Sequence, residues 1–228
     1  MSTVFITGAA GAIGSATAQV FADAGWTLGL IDYDTDALAS VASAYPNAKT
    51  ASADLTDVDA ANAAFATLVD ALGAPDAVLA IAGGFAMQGA TEATAQDYAH
   101  MMDLNMRTLF ATVQGALPHL QTVDNSFFLG VSAPAAEDGG AGMGLYAASK
   151  GAVAAYLKSL DAELRDDGIR VSTLYPMGVV DTPANRSAMP DSDPNTWISP
   201  VELAESMLHA ATRTRRGHIP AIKVYAAT

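Results

Sequence analysis

A chain of 228 residues that is 51% hydrophobic and 15% charged can bury a sizeable core, and it is not a disordered polyelectrolyte. Its 24 acidic side chains against 11 basic ones, a formal net charge of −13, argue against nucleic acid as a partner, and no apolar run reaches the length of a membrane span. Without cysteine there are no disulfides or thiolate sites, and His100, His119, His209 and His218 lack ligand spacing, so no metal is expected.

Thr3 to Thr7 is a β-branched and aromatic run that stops at Gly8, and Ala9-Ala10-Gly11-Ala12-Ile13-Gly14 follows. This is the pattern of strand, glycine turn and helix. Ile13, Thr17, Val20, Phe21 and Ala24 recur at helical spacing until Gly25, and a second strand, Thr27 to Ile31, ends at Asp32. In such a β-α-β unit Gly8, Gly11 and Gly14 let the backbone approach a pyrophosphate at the helix N-terminus, where free N–H groups favour an anion. Asp32 stands where a carboxylate accepts from an adenosine ribose. It would repel a 2′-phosphate, and no Lys or Arg precedes Lys49, so NAD is expected as the cofactor.

The alternation continues with a helix over 34–44, a short strand over 49–53 running into Asp54-Leu55, and a helix capped by Asp57 that Gly73 and Pro75 terminate. Ala77 to Ile81 is an apolar strand that turns out through Ala82-Gly83-Gly84, and a long helix from about Thr94 to Leu117 carries Asn105. Ser126 to Val131 delivers Ser132 at its carboxyl end, and a helix bearing Tyr146 is stopped by Gly168. Ile169 to Tyr175 is a sixth strand, Ser199-Pro200-Val201-Glu202 reads as a capping box, and His218 to Val224 is a last strand. Arg213, Arg215 and Arg216 are expected to complement a helix C-terminus. The fold class is therefore α/β, one domain over residues 1–228, built as a doubly wound parallel sheet with helices on both faces. Ligands of such sheets bind outside the carboxyl ends of the strands, where Gly8, Asp32, Asp54, Gly83, Ser132 and Pro176 all fall.

Tyr146 and Lys150 lie four residues apart, on one face of adjacent turns if Leu145 onward is helical. An ammonium beside a phenol lowers the phenol's pKa toward neutrality, so Tyr146 is expected to exchange a proton with a substrate oxygen. A Tyr and a Lys that merely share a helix face would look the same, and the rest of the chain decides between them.

Thr7-Gly8-Ala9-Ala10-Gly11-Ala12-Ile13-Gly14, Asp54-Leu55, Ala82-Gly83, the series Asn105, Ser132, Tyr146 and Lys150, and Pro176 through Thr182 together resemble the short-chain dehydrogenases/reductases over essentially the whole chain. The resemblance implies a Rossmann-type fold and a catalytic tetrad of Asn105, Ser132, Tyr146 and Lys150. It further implies dinucleotide contacts at Gly8, Ala10, Gly11, Ala12, Ile13, Gly14, Asp32, Tyr33, Asp54, Leu55, Ala82, Gly83, Tyr146, Lys150, Pro176, Gly178, Val179 and Thr182. Lys150 would hold the nicotinamide ribose, Ser132 would hydrogen-bond developing charge, Asn105 would hold a water, and residues 177–200 would form a substrate lid. In this sequence Ala80 and Ile81 stand in place of the family's two asparagines, and Met177 separates Pro176 from Gly178. Phe85, Gly142-Met143, Asp181 through Arg186, Met189-Pro190 and Trp197 resemble the dihydropteridine reductase-like members, which implies a quinonoid dihydropterin, while Ser132 departs toward the carbonyl-reducing pattern and keeps a small ketone or alcohol open as the substrate.

The expected partner is a small-molecule substrate, and the Ala-rich surface of the Tyr146 helix suggests a homodimer or homotetramer. The first residues, Met1 to Gly8, carry no basic leader, and a cytoplasmic location is expected. A noncatalytic dinucleotide sensor could use the same fold, but it would have no use for Tyr146 and Lys150 together. A nucleotide-sugar epimerase would share that pair but would need more chain beyond Thr182.

Overall fold

The computed structural model describes residues 2–227. Seven parallel strands lie in the order β3-β2-β1-β4-β5-β6-β7: β1 Thr3–Thr7, β2 Thr27–Asp32, β3 Lys49–Ser52, β4 Ala77–Ala80, β5 Phe127–Val131, β6 Arg170–Met177 and β7 Ala221–Tyr225. Between them run α1 Ala12–Asp23, α2 Thr35–Ala42, α3 Val58–Leu72, α4 Ala95–Met102, α5 Thr108–Leu120, α6 Ala135–Asp138, α7 Gly144–Leu164, α8 Pro183–Ala188 and α9 Pro200–Ala211. Parallel neighbours need crossover helices, and these cover both faces of the sheet.

Side chains alternate along each strand and so feed two separate cores. Val4, Ile6, Leu28, Leu30, Leu79 and Leu129 pack against Phe21, Leu38, Leu203 and Met207 of α1, α2 and α9. Phe5, Ile31, Val78 and Phe128 pack on the other face against Phe65, Leu109, Val153 and Leu157 of α3, α5 and α7. That double burial is why the strands read as unbroken apolar runs.

Helix ends follow local chemistry. Asp57 caps α3 as the sequence implies, Asp34 caps α2 instead of lying within it, and Gly25, Gly73 and Gly168 leave their helices at φ values of +81°, +81° and +83°. Ser199 accepts from Val201 N–H, but the reciprocal bond of a box is absent there; Thr94 and Asp97 make the full box instead, at the start of α4. The long helix expected over 94–117 continues to Leu120 through Pro118, and a π-helical turn at Asp103–Arg107 interrupts it. The extra residue in that turn carries Thr108 Oγ1 to Asp103 C=O, 3.0 Å away, and places Asn105 inside.

The helix C-terminus that needed a cation is that of α9, and its partner is not one of the three arginines expected. Arg170, 4% exposed at the first position of β6, donates at 2.9 Å to both Ala210 and Ala211 C=O and through Nε to Asn125 Oδ1 at 3.0 Å. Arg213, Arg215 and Arg216 are exposed. A strand-borne guanidinium satisfies two orphan carbonyls because β6 begins where α9 ends.

Candidate active site

The glycine turn after β1 is fixed by close packing. Gly8 has φ +66°, and a Cβ there would stand 2.8 Å from Ala82 Cα. A Cβ on Gly14 would stand 2.8 Å from Ala9 Cα and nearer still to the Gly8 carbonyl oxygen. Asp32, buried at the end of β2, locks the same turn: Oδ2 accepts from Ala10 N–H at 2.9 Å and Oδ1 from Asp34 N–H at 3.2 Å. Side chains cap α2, α3, α4, α8 and α9, whereas α1, like α6 and α7, begins with no side-chain cap, and it has no acidic residue in its first turn. Its free N–H groups and dipole are left for an external anion.

Of the other residues expected at the cofactor, Tyr33 is 79% exposed beside Asp32, and Ala82 N–H donates to Thr7 Oγ1 at 3.3 Å, joining the end of β4 to the turn. Asp54 turns its carboxylate onto the N–H and hydroxyl of Thr56, which lower its pKa. The Leu55 side chain is buried in the core with Phe65, so any contact with a ligand falls to its backbone. Pro176 is the last buried residue of β6, while Gly178, Val179 and Thr182 lead into the segment carrying α8. That segment is anchored where Ile198 N–H donates to Val179 C=O at 2.8 Å and Asp181 N–H to Ile198 C=O at 2.9 Å.

The tetrad residues converge as the sequence implies, with different internal bonds. Lys150, buried on α7, donates from Nζ to Val131 C=O at 3.0 Å. A Cβ on Gly83 would come 2.8 Å from Asn105 Oδ1 and 3.3 Å from that Nζ, so glycine there keeps the approach to both open. Asn105 clamps the loop after β4: Oδ1 accepts from Gly84 N–H at 3.0 Å, and Nδ2 donates to Gly84 C=O at 3.1 Å. The water-holding role implied for Asn105 thus meets a side chain already engaged with backbone. Nδ2 also donates to Ser149 Oγ at 3.1 Å, and Ser149 donates to Tyr146 C=O at 2.8 Å. Ser149 is the residue that sequence reasoning missed; its only signal was a small hydroxyl one turn after Tyr146. Ser132, 2% exposed, donates to Lys150 C=O at 2.9 Å, so it positions the lysine turn.

Tyr146 meets Phe85 edge-on, ring centroids 4.8 Å apart. Phe85 and Met87 are more than half exposed on the loop after β4, and Gln88 N–H donates to Gly142 C=O at 2.8 Å, tying that loop to the approach of α7. A cavity of about 550 Å³ bounded by Thr56, Asp57, Val58, Arg107 and Phe110 contains none of the tetrad.

The electrostatics correct one expectation. Burial pushes the Tyr146 phenol up to about 12, where the sequence reading had Lys150 lowering it, and burial brings the Lys150 ammonium down to about 8. Desolvation wins because Nζ is aimed at a carbonyl and not at the phenol. At neutral pH Tyr146 therefore keeps its proton, as a donor requires.

Lys150 also burdens the fold. Its folded pKa lies below its unfolded value of about 10.4, so the folded state holds fewer protons between about pH 8 and 10.4, and this group's destabilisation is full below pH 8 and relieved as pH rises. Lys150→Met is expected to stabilise the cofactor-free protein by about 2 kcal/mol at pH 7 and by less at pH 9, while abolishing turnover. Urea unfolding at the two pH values checks this. A variant less stable than the parent at pH 7 refutes it.

Among the described residues no group of three or more His, Cys, Asp or Glu side chains could hold a metal, and no helix is long and apolar enough to cross a membrane. The family model for short chain dehydrogenases matches residues 2–193. An uncharacterized oxidoreductase of Staphylococcus aureus strain N315 is 26% identical over 221 residues, spanning 96% of this chain and 94% of the relative. Among solved structures, the NADPH-bound short chain oxidoreductase of Pseudomonas aeruginosa PAO1, described as containing an atypical catalytic center, superposes with a TM-score of 0.89 at 18% identity, covering 98% of this chain and 95% of its own. The 3-ketoacyl-(acyl-carrier-protein) reductase of Brucella melitensis complexed with NADH gives 0.84 at 23% identity, covering 98% and 96%. The match of the family model across most of the chain, on a seven-stranded parallel sheet that brings Tyr146 and Lys150 to the ends of β4 and β5, identifies the chain as a member of the short-chain dehydrogenase/reductase family of oxidoreductases.

Proposed function

We propose that this protein is an NAD(H)-dependent oxidoreductase in which Tyr146 gives a proton to, or takes one from, a small substrate as hydride passes to or from the nicotinamide. The observation that carries the reading is that Asn105 Oδ1 and Lys150 Nζ converge on Gly83 at the sheet's carboxyl end, with Tyr146 one turn before Lys150 on α7 and against Phe85 of the same loop. Tyr146 keeps its proton at neutral pH and stands at the mouth beside Phe85, a geometry that favours protonation of a substrate atom. Lys150 supplies a fixed ammonium for ribose hydroxyls. Hydride exchange is the chemistry the nicotinamide supplies when bound. The residues fit a dinucleotide through the uncapped α1 N-terminus and the close-packed glycines. Among the solved relatives, one binds NADPH and another NADH.

The preference for NAD rests on Asp32. Its fixed carboxylate would face a 2′-phosphate, and Lys49 pairs in register with Gly29, about 10 Å along the strands from the Asp32–Ser52 level. We expect kcat/KM to favour NADH over NADPH by at least about tenfold, an advantage of about 1.4 kcal/mol. Equal or better use of NADPH overturns that preference.

For the substrate we propose a flat heteroaromatic of the quinonoid dihydropterin class. What supports this reading is Phe85, more than half exposed and edge-on to Tyr146, Met87 on the same loop within reach of Gly142, and a Ser132 hydroxyl spent on Lys150 C=O. NADH oxidation with a freshly oxidised tetrahydropterin tests this. Turnover of a simple ketone or secondary alcohol, with no pterin turnover above the nonenzymatic rate, returns the site to general carbonyl reduction. For the assembly we propose a homodimer or homotetramer through α5 and α7, where Phe110, 39% exposed, lies tilted against Tyr156.

A further inference from the structure

Four of the chain's seven arginines line one cavity. Arg165, Arg170, Arg215 and Arg216, with His218 and Pro220, line a half-open cavity of about 320 Å³ beside the first residue of β6. Met177 closes that strand at its other end, so this cavity lies about 20 Å from the carboxyl end of the sheet. Gathering guanidinium groups in a chain of net charge −13 costs like-charge repulsion and calls for counter-charge. The counter-charge present is incomplete. Asp161 pairs with Arg165 and accepts from or is bridged to His218 Nε2 at 2.8 Å, and Asp124 pairs with Arg215 at 2.6 Å. Arg170 spends its donors on backbone and Asn125 and remains cationic. Arg216 makes no ion pair and no side-chain hydrogen bond among the described residues, and His218 Nδ1 is buried with no partner. Asp166 and Asp167, exposed on the turn after α7, form no ion pair either and weaken the field from outside without entering the lining.

The cluster is also shaped. Gly168 follows α7 at φ +83°, and the Arg215 guanidinium occupies the space where a side chain at Gly168 would stand. Guanidinium forks suit tetrahedral oxyanions because two N–H groups meet two oxygens, a geometry that chloride cannot use. We propose that this cavity is a binding site for a phosphate group, either the free anion or the phosphate of a small metabolite, held chiefly by Arg216 with Arg165 and Arg215. The site is independent of the oxidoreductase reading, since none of its residues reaches the tetrad.

Isothermal titration of the full chain with inorganic phosphate, inorganic diphosphate and glycerol 3-phosphate, against chloride at matched ionic strength, tests it. Saturable binding of the phosphates but not chloride is expected, weakened at least tenfold in Arg216→Ala and abolished in Arg216→Glu, with partial recovery in Arg216→Lys. Arg216 is exposed, so these variants should melt as the parent does. Equal affinity for phosphate and glycerol 3-phosphate assigns the free anion; tighter binding of the ester assigns a phosphorylated metabolite. Diphosphate also suits the α1 N-terminus, so only the component lost on substituting Arg216 counts. No saturable binding, or binding the same in Arg216→Ala and Arg216→Glu as in the parent, overturns the proposal.

Discussion

Tyr146→Phe is expected to lower kcat by about two to four orders of magnitude while the dissociation constant for the dinucleotide stays within a few-fold of the parent's. The substitution removes one oxygen and keeps the ring, so the edge-on contact with Phe85 at 4.8 Å and the packing of α7 survive. The loss therefore reports the proton and not the scaffold. Lys150 remains at its bond to Val131 C=O, which is why binding is spared. Steady-state kinetics together with a fluorescence titration of NADH separate the two quantities. Near-normal turnover in Tyr146→Phe would mean that another acid, or a proton carried by the substrate, performs the step.

Gly14→Ala is expected to cost about 3 kcal/mol of stability and at least about a hundredfold in dinucleotide affinity. An alanine inside a helix would ordinarily stabilise by up to about 1 kcal/mol. Here the added methyl meets backbone on two sides, the Gly8 carbonyl and Ala9 Cα, and neither can rotate away. The turn must open, taking with it the Ala10 N–H bond to Asp32. Gly11→Ala is the matched control: its φ of −71° is ordinary, and the nearest atom to its Cβ is Gly8 O at 3.3 Å, so it should melt like the parent. If both variants melted and bound alike, close packing at Gly14 would not be what holds the turn.

The middle of the sheet was legible because β1, β2, β4, β5 and β6 are buried on both faces and announce themselves as apolar runs, and because Asp57, Gly25, Gly73 and Gly168 mark helix ends through local chemistry alone. The convergence of Tyr146, Lys150, Asn105 and Ser132 was legible through the strand ends that carry them. What escaped depends on partners distant in sequence. Nothing near Asn105 signals a π turn, since it is set by the reach to Gly84 and Ser149. Arg170 caps α9 across about forty residues of chain, and no spacing rule prefers it over Arg213, Arg215 or Arg216. The phenol's pKa went the other way because four-residue spacing says that Lys150 is near but not where its ammonium points.

The strand order has a consequence for a chain emerging from the ribosome. β1 pairs with β2 from Thr3↔Thr27 onward, but its other edge waits for β4, beginning at Val4↔Ala77. At about 5–20 residues per second, several seconds of synthesis separate the first pairing from the second. Through that interval the nascent half-sheet presents an open strand edge bearing Val4, Phe5 and Ile6, all of which end fully buried. Arg170 likewise precedes the carbonyls of Ala210 and Ala211 that it will hold, so α9 docks only after most of the chain has been made. The protein's most vulnerable moment thus belongs to its birth, when the strand destined for the middle of the sheet is still an edge.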